Sequence, residues 1–122
     1  IKSINPNEIF LAIHTKEGKK HIGNVRIHSI NSKHGLAEYG IMIGDKSVWG
    51  KGYGQDAWNI MTKWLLEQEG IRKITAGTLA CNFGMIKLVE RSNMVLEAVR
   101  KDQEVVEGKL VDILYYSKFN DS

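Results

Sequence analysis

The sequence predicts a single mixed α/β domain, residues 1–122, with a largely antiparallel sheet flanked by helices, and three observations predict it. Paired apolar, β-branched runs separated by turn residues stand at each end of the chain, the pattern of hairpins. Two segments between them repeat apolar residues at helical spacing. A glycine-rich stretch, Trp49-Gly50-Lys51-Gly52-Tyr53-Gly54, joins the third strand to the first of those helices. The order β-β-β-α-β-α-β-β mixes hairpins with crossovers, which calls for one sheet with helices laid against it.

Glu8–His14 is short and apolar, Lys16-Glu17-Gly18-Lys19 supplies a turn, and Ile22–Ile30 resumes with Val25 and Ile27 alternating against Asn24, Arg26 and His28. A polar turn from Asn31 to Gly35 leads into Ala37–Gly44. There Tyr39, Ile41 and Ile43 share one face while Glu38, Gly40 and Met42 share the other. Past the glycine loop, Ala57, Ile60, Met61, Trp64 and Leu65 form the stripe of a helix packed on a sheet, and Gly70 stops it. Trp58 and Trp64 are expected as core or interface aromatics. Arg72–Ala80 reads as a strand, and Asn82–Arg91 as a short helix burying Phe83, Ile86 and Val89. Leu96–Val106 and Leu110–Phe119 form a second hairpin around Glu107-Gly108-Lys109. Tyr115, Tyr116 and Phe119 on that terminal strand suit pairing between two copies, which makes a homodimer one expectation.

Composition excludes several classes of function. Lys and Arg number 17 against 14 Asp and Glu, a net charge of +3, and the cations are scattered rather than clustered. That balance suits an anionic ligand and argues against a nucleic-acid partner. No apolar run approaches the roughly 18 residues that span a bilayer, so no membrane partner is expected. The single cysteine, Cys81, excludes an internal disulfide and fits a reducing compartment, the cytoplasm. With no histidine near it in sequence, it reads as a buried structural thiol rather than a nucleophile. His14, His21, His28 and His34 lack the clustering of a zinc site, and no metal is expected. The chain starts at Ile1 and reads as a fragment of something longer.

The glycine loop carries the first functional signal. Gly50, Gly52 and Gly54 let the backbone take conformations closed to other residues and approach a ligand without Cβ atoms in the way. The helix that follows opens with unpaired N–H groups at the positive end of its dipole, an arrangement that binds phosphate. Lys51 and Gln55 flank the loop and are expected to reach phosphate oxygens, one by charge and the other by hydrogen bond. A magnesium-nucleotide loop is excluded, because Gly54-Gln55-Asp56 cannot supply the required Lys and hydroxyl together.

From about Glu8 to Phe119 the chain resembles the GNAT superfamily of N-acetyltransferases, most of all the branch of ribosomal-protein, polyamine and amino-sugar acetyltransferases. In that family an (Arg/Gln)-x-x-Gly-x-(Gly/Ala) loop binds the pyrophosphate of acetyl-CoA through backbone amides. Trp49-Gly50-Lys51-Gly52-Tyr53-Gly54 matches it, with Trp49 where Arg or Gln is usual. The family's second anchor is an Asn opening a helix of the form N-x-x-A-x-x-x-Y-x-x-x-G-F. Asn82 sits at that Asn, whereas Met85, Val89 and Asn93-Met94 replace the small residue, the tyrosine and the Gly-Phe pair. The family also opens with a strand and two helices lining part of the acceptor pocket, and the resemblance implies that this chain lacks them. The function it implies is acetyl transfer from acetyl-CoA to a primary amine of a small molecule or protein, by direct attack in a ternary complex. Amino-sugar nucleotides, polyamines, aminoglycosides and protein N-termini are all open as acceptors. The eroded helix motif supports the alternative, a non-catalytic acyl-CoA-binding module.

Such a transfer needs a neutral amine, a base for its proton, polarisation of the thioester carbonyl and a proton for the thiolate. By resemblance the base is Glu38, fourteen positions before Gly52. Cosubstrate contacts are expected from the backbone of Ile41, Met42 and Ile43, on a strand that bulges at Gly40 and splays from its neighbour. The others are expected from Trp49, Gly50, Lys51, Gly52, Tyr53, Gly54, Gln55 and Asn82. Val89 cannot donate a proton, and among Tyr39, Tyr53, Ser92 and Tyr116 the sequence singles out no general acid.

Overall fold

The computed structural model describes residues 9–16, 18–31, 33–43, 50–68 and 70–120. Its elements follow the predicted order: β1 (Ile9–His14), β2 (His21–Asn31), β3 (Leu36–Ile43), α1 (Tyr53–Glu67), β4 (Lys73–Leu79), α2 (Phe83–Arg91), β5 (Val95–Val106) and β6 (Lys109–Phe119). They form one six-stranded sheet in the order β1-β2-β3-β4-β6-β5. Every neighbouring pair is antiparallel except β3 and β4, which run parallel because α1 carries the chain across between them.

Each junction has a local cause. Glu107 and Gly108 both take positive φ, 50° and 77°, the two-residue turn whose twist suits a hairpin. Gly52 caps α1 at φ 86°, and the first helical bond runs from Asp56 N–H to the Gly52 carbonyl, 3.0 Å. Asn82 caps α2, its side-chain oxygen accepting from the Met85 amide at 3.1 Å.

Both helices pack on one face of the sheet, and the core lies between them. Val25, Ile27, Ala37, Tyr39, Ile74, Ala76 and Tyr116 supply the sheet side, and Trp58, Leu65, Met85 and Val89 the helix side. Tyr39 and Trp58 stack with ring centroids 4.1 Å apart, and the Tyr39 hydroxyl hydrogen-bonds Thr62. Burial pushes that phenol well above its ordinary pKa.

Two helical faces differ from expectation. In α1 the buried residues are Trp58, Thr62 and Leu65, while Ile60 and Trp64 are 67% and 43% exposed. The helix is turned by about one residue, roughly 100°, from the stripe of greatest hydrophobicity. Thr62 enters the core because its hydroxyl finds Tyr39 there, while Trp58 lies in the core as expected, stacked on the Tyr39 ring. In α2, Met85 and Val89 are buried and Ile86 packs beside them, but Phe83 is 73% exposed, since it opens the first turn outside the helix–sheet contact.

Three further expectations are corrected. The terminal strand β6 is hydrogen-bonded on both edges, to β4 and to β5, so it offers no free edge for a second copy. Tyr116 on it is buried in the core. Cys81 lies in the exposed turn after β4 rather than in the interior. No helix is long and apolar enough to cross a membrane, and among the described residues no group of three His, Cys, Asp or Glu could hold a metal ion.

Candidate active site

The parallel pair at the centre of the sheet is short. Among the described residues, β3 and β4 are paired only through Leu36 with Lys73, Ala37 with Ile74, and Glu38 with Thr75. Beyond Glu38, β3 stays paired to β2 as far as Ile43, and β4 stays paired to β6 as far as Leu79. The two strands therefore part into a V. The edge of β3 from Gly40 to Ile43 faces the gap without a strand partner there, and a strand presents N–H groups to each edge in alternation. The expected splay is present, but the irregularity lies in β2, between Ile27 and Ser29, and not at Gly40. Gly40 meets nothing within 4 Å of where a Cβ would stand, so it opens onto space instead of bulging under crowding.

The closed end of the V is pinned by backbone. The Gly35 carbonyl accepts from the amides of both Arg72 (2.8 Å) and Lys73 (3.1 Å), and Arg72 Nε donates to the His34 carbonyl at 2.7 Å. Gly35 holds φ 70° with the Gly70 carbonyl oxygen 2.4 Å from where a Cβ would be.

At the open end the chain from β3 enters α1. Gly50 (φ 80°) and Gly52 (φ 86°) have no atom of the described residues beyond their chain neighbours within 4 Å of where a Cβ would stand. The amides of Tyr53, Gly54 and Gln55 precede the first helical bond, so they have no carbonyl of the helix to bind. A diphosphate fits this turn: there are donors, a positive dipole end and, among the described residues, no side chain in the way. Lys51 is exposed beside it. Trp49 lies outside the described residues, as does Gly44 at the expected end of the third strand.

Gln55 departs from expectation. Its amide nitrogen turns inward to Asn59 Oδ1 (3.0 Å), the Leu88 carbonyl (3.3 Å) and Ser92 Oγ (2.9 Å). A side chain spent on the end of α2 clips the first turn of α1 in place and leaves any phosphate contact to its backbone. Asn82, by contrast, stands exposed at the end of β4 with only its oxygen used in the cap.

Glu38 occupies the last paired position of β3, half-buried, at the apex where the strands part. It lies on the sheet face opposite the helices. Val89 is fully buried. Of the hydroxyls, Tyr39 is committed to Thr62, Ser92 to the Leu88 carbonyl and Asn59, and Tyr116 to Glu90 Oε2 at 3.4 Å. Burial raises the Tyr116 pKa and the nearby Glu90 charge adds to it. Tyr53 is half-buried at the start of α1.

Two residues of this region, Gly77 and Arg100, escaped sequence reasoning, and Tyr115 is expected from sequence only in pairing between copies. Gly77, on β4 beside the gap, carries the Tyr115 ring across its backbone, 2.9 Å from where a Cβ would stand. Arg100 lies over that ring, 5.4 Å from its centroid. The cue was a glycine in a strand, which marks a close approach by another group.

A parallel strand pair that opens at a glycine-capped helix leaves space between its strands for an extended ligand with an anionic end. The Acetyltransferase (GNAT) domain family matches residues 2–95, and the chain belongs to that family, whose cosubstrate is acetyl-CoA. It is similar to an uncharacterized N-acetyltransferase, p20, of Bacillus licheniformis, 27% identical over 106 residues. That match covers 87% of this chain and 59% of the relative, so the chain spans well under two thirds of that protein's length. Among solved structures it resembles spermidine N-acetyltransferase from Vibrio cholerae in complex with CoA and spermine, at TM-score 0.85 and 22% identity. That likeness covers 94% of this chain and 67% of the other. A dodecameric form of the Vibrio cholerae enzyme matches equally, at TM-score 0.85 and 22% identity over 95% and 67%. At such identities the likeness establishes the fold.

Proposed function

We propose that this chain is the acetyl-CoA-binding and catalytic part of an N-acetyltransferase, moving an acetyl group to a primary amine by direct attack in a ternary complex. The observation that carries the reading is the V between β3 and β4 with a glycine-capped helix at its mouth. The first-turn amides of α1 and the loop Trp49 to Gly54 bind the pyrophosphate, with Lys51 adding charge. Backbone amides among Ile41, Met42 and Ile43 on the open edge of β3 bind the pantetheine arm and polarise the thioester carbonyl. Asn82 flanks the arm from the end of β4.

Glu38 takes the proton from the attacking ammonium, directly or through water. The amine nitrogen then bonds to the carbonyl carbon, the carbon–sulfur bond breaks, the nitrogen's remaining surplus proton passes to water, and the thiolate takes its proton from water, since most nearby hydroxyls are committed elsewhere. Glu38→Gln should lower kcat by about 10²- to 10⁴-fold with acetyl-CoA affinity little changed, as read by thiol release and isothermal titration. Failure of the folded protein to bind millimolar acetyl-CoA would sink the reading.

The buried Val89 and the committed hydroxyls favour a second reading, a non-catalytic acyl-CoA-binding module. Normal CoA binding with no amine acetylated by either the wild type or Glu38→Gln would select it. The small-molecule or protein acceptor, the cytoplasmic setting and assembly as a homodimer belong to this proposal, the last supported by the dodecameric relative.

A further inference from the structure

The sheet face that carries Glu38 is not covered by either helix, and its charges say what an acceptor must look like. Register places Arg26 opposite Gly40 on that face, and Lys73, Thr75 and Gly77 follow on β4. Tyr115, Ser117 and Phe119 follow on β6, then Ala98 and Arg100 on β5. Between β2 and Arg100 the described residues thus offer three cations, Arg26, Lys73 and Arg100, and two carboxylates, Glu38 and Glu97, with Glu104 one register step beyond Arg100 on the same face.

The pairing within this set is uneven. Glu97 is ion-paired with Lys73 and also accepts from Ser117 Oγ at 3.1 Å. Arg100 has only the Tyr115 ring, with no carboxylate partner among the described residues. That ring is held in place by Gly77, whose missing Cβ lets it lie across β4 at the rim of the gap. Glu38 and Gly77 are one strand and two residues apart, about 8 Å between Cα atoms, so the ring stands a short molecule's length from the base. A guanidinium fixed over an aromatic ring is a receptor for a carboxylate or phosphate. A polycation, in contrast, would meet the Arg100 charge.

We propose that Tyr115 and Arg100 form the acceptor-side wall of the site and select amines that carry an anionic group at their far end. This rests on the acetyltransferase reading. Glu38 receives the amine, the chain of the acceptor runs over Tyr115, and Arg100 binds the carboxylate or phosphate.

The test is a panel of ω-amino acids of increasing length, each beside its carboxamide, together with spermidine, assayed by thiol release. The carboxylates should exceed the amides in kcat/KM by roughly tenfold or more, with an optimum length. Arg100→Gln should raise KM for the carboxylate at least about tenfold more than for the amide, and Arg100→Lys should recover part of the loss. Tyr115→Ala should blunt the length optimum. Equal use of carboxylate and amide, spermidine as the best acceptor, equal damage by Arg100→Gln to both members of a pair, or no turnover of any panel amine overturns the proposal. Isothermal titration of CoA separates the two levels: a protein that binds CoA and shows no carboxylate preference loses only this inference, whereas one that does not bind CoA loses the parent reading.

Discussion

At the scale of single residues, the closed end of the V depends on a glycine and the face beside it on one ion pair. Gly35 combines φ 70° with a carbonyl oxygen 2.4 Å from the would-be Cβ, and its own carbonyl holds the start of β4. Gly35→Ala must therefore strain the backbone and push the Gly70 turn away. We expect a loss of about 1–3 kcal/mol, measurable by denaturant unfolding, with CoA affinity falling as the apex loosens. Equal stability of the variant would show that the turn adapts. Lys73 holds the Glu97 carboxyl below its ordinary range, mainly by the direct hydrogen bond, and Ser117 adds to this. A carboxylate whose folded pKa is depressed contributes stability above its unfolded value and loses it as pH falls through the folded one. Stability should then decline from about pH 5 downward, by a small amount because the pair is half-exposed. Lys73→Met should remove that component, and an unchanged acid limb would refute it.

At the scale of elements, caps and clips decide how the two helices meet the site. Asn82 serves α2 through its oxygen alone, so its two possible roles come apart chemically. Asn82→Ala should cost about 1 kcal/mol through the lost cap, whereas Asn82→Asp keeps the cap and replaces the outward amide by a negative charge. If Asn82 flanks the CoA arm, the Asp variant keeps its melting temperature and binds CoA more weakly; unchanged binding removes Asn82 from the site. The sequence revealed element order and the strand-to-helix glycine turn well, because period and turn chemistry are local properties. It found Trp58, Leu65 and Val89 in the core but misplaced the rest of the two faces, because Thr62 is buried by a partner on a distant strand while Ile60, Trp64 and Phe83 are exposed. It also offered Gln55 to the phosphates, when the residue spans to Leu88 and Ser92, 33 and 37 positions away. The bulge moved from Gly40 to β2 for the same reason: register is settled by the partner strand, not by the strand that holds the glycine.

At the scale of the whole molecule, the fold is a sheet deliberately left open in its middle. Hydrogen bonding is continuous from β1 to β3 and from β4 to β5, and among the described residues only three strand-paired positions at the Gly35 end join the halves. The helices close the seam on one face through the Tyr39–Trp58 stack and the Gln55 clip. A ligand lying in the V would bond to both halves at once, adding links where the sheet has fewest. Acetyl-CoA should therefore stabilise the domain as a unit, by about 2.7 kcal/mol at a hundredfold excess over Kd, a rise of several degrees in Tm. Hydrogen exchange should slow most at the β3 edge from Gly40 to Ile43 and in the first turn of α1. Protection confined to the helix start, with the β3 edge unchanged, would mean that the pyrophosphate binds but the arm does not enter the V, and the acetyl group would then lie away from Glu38.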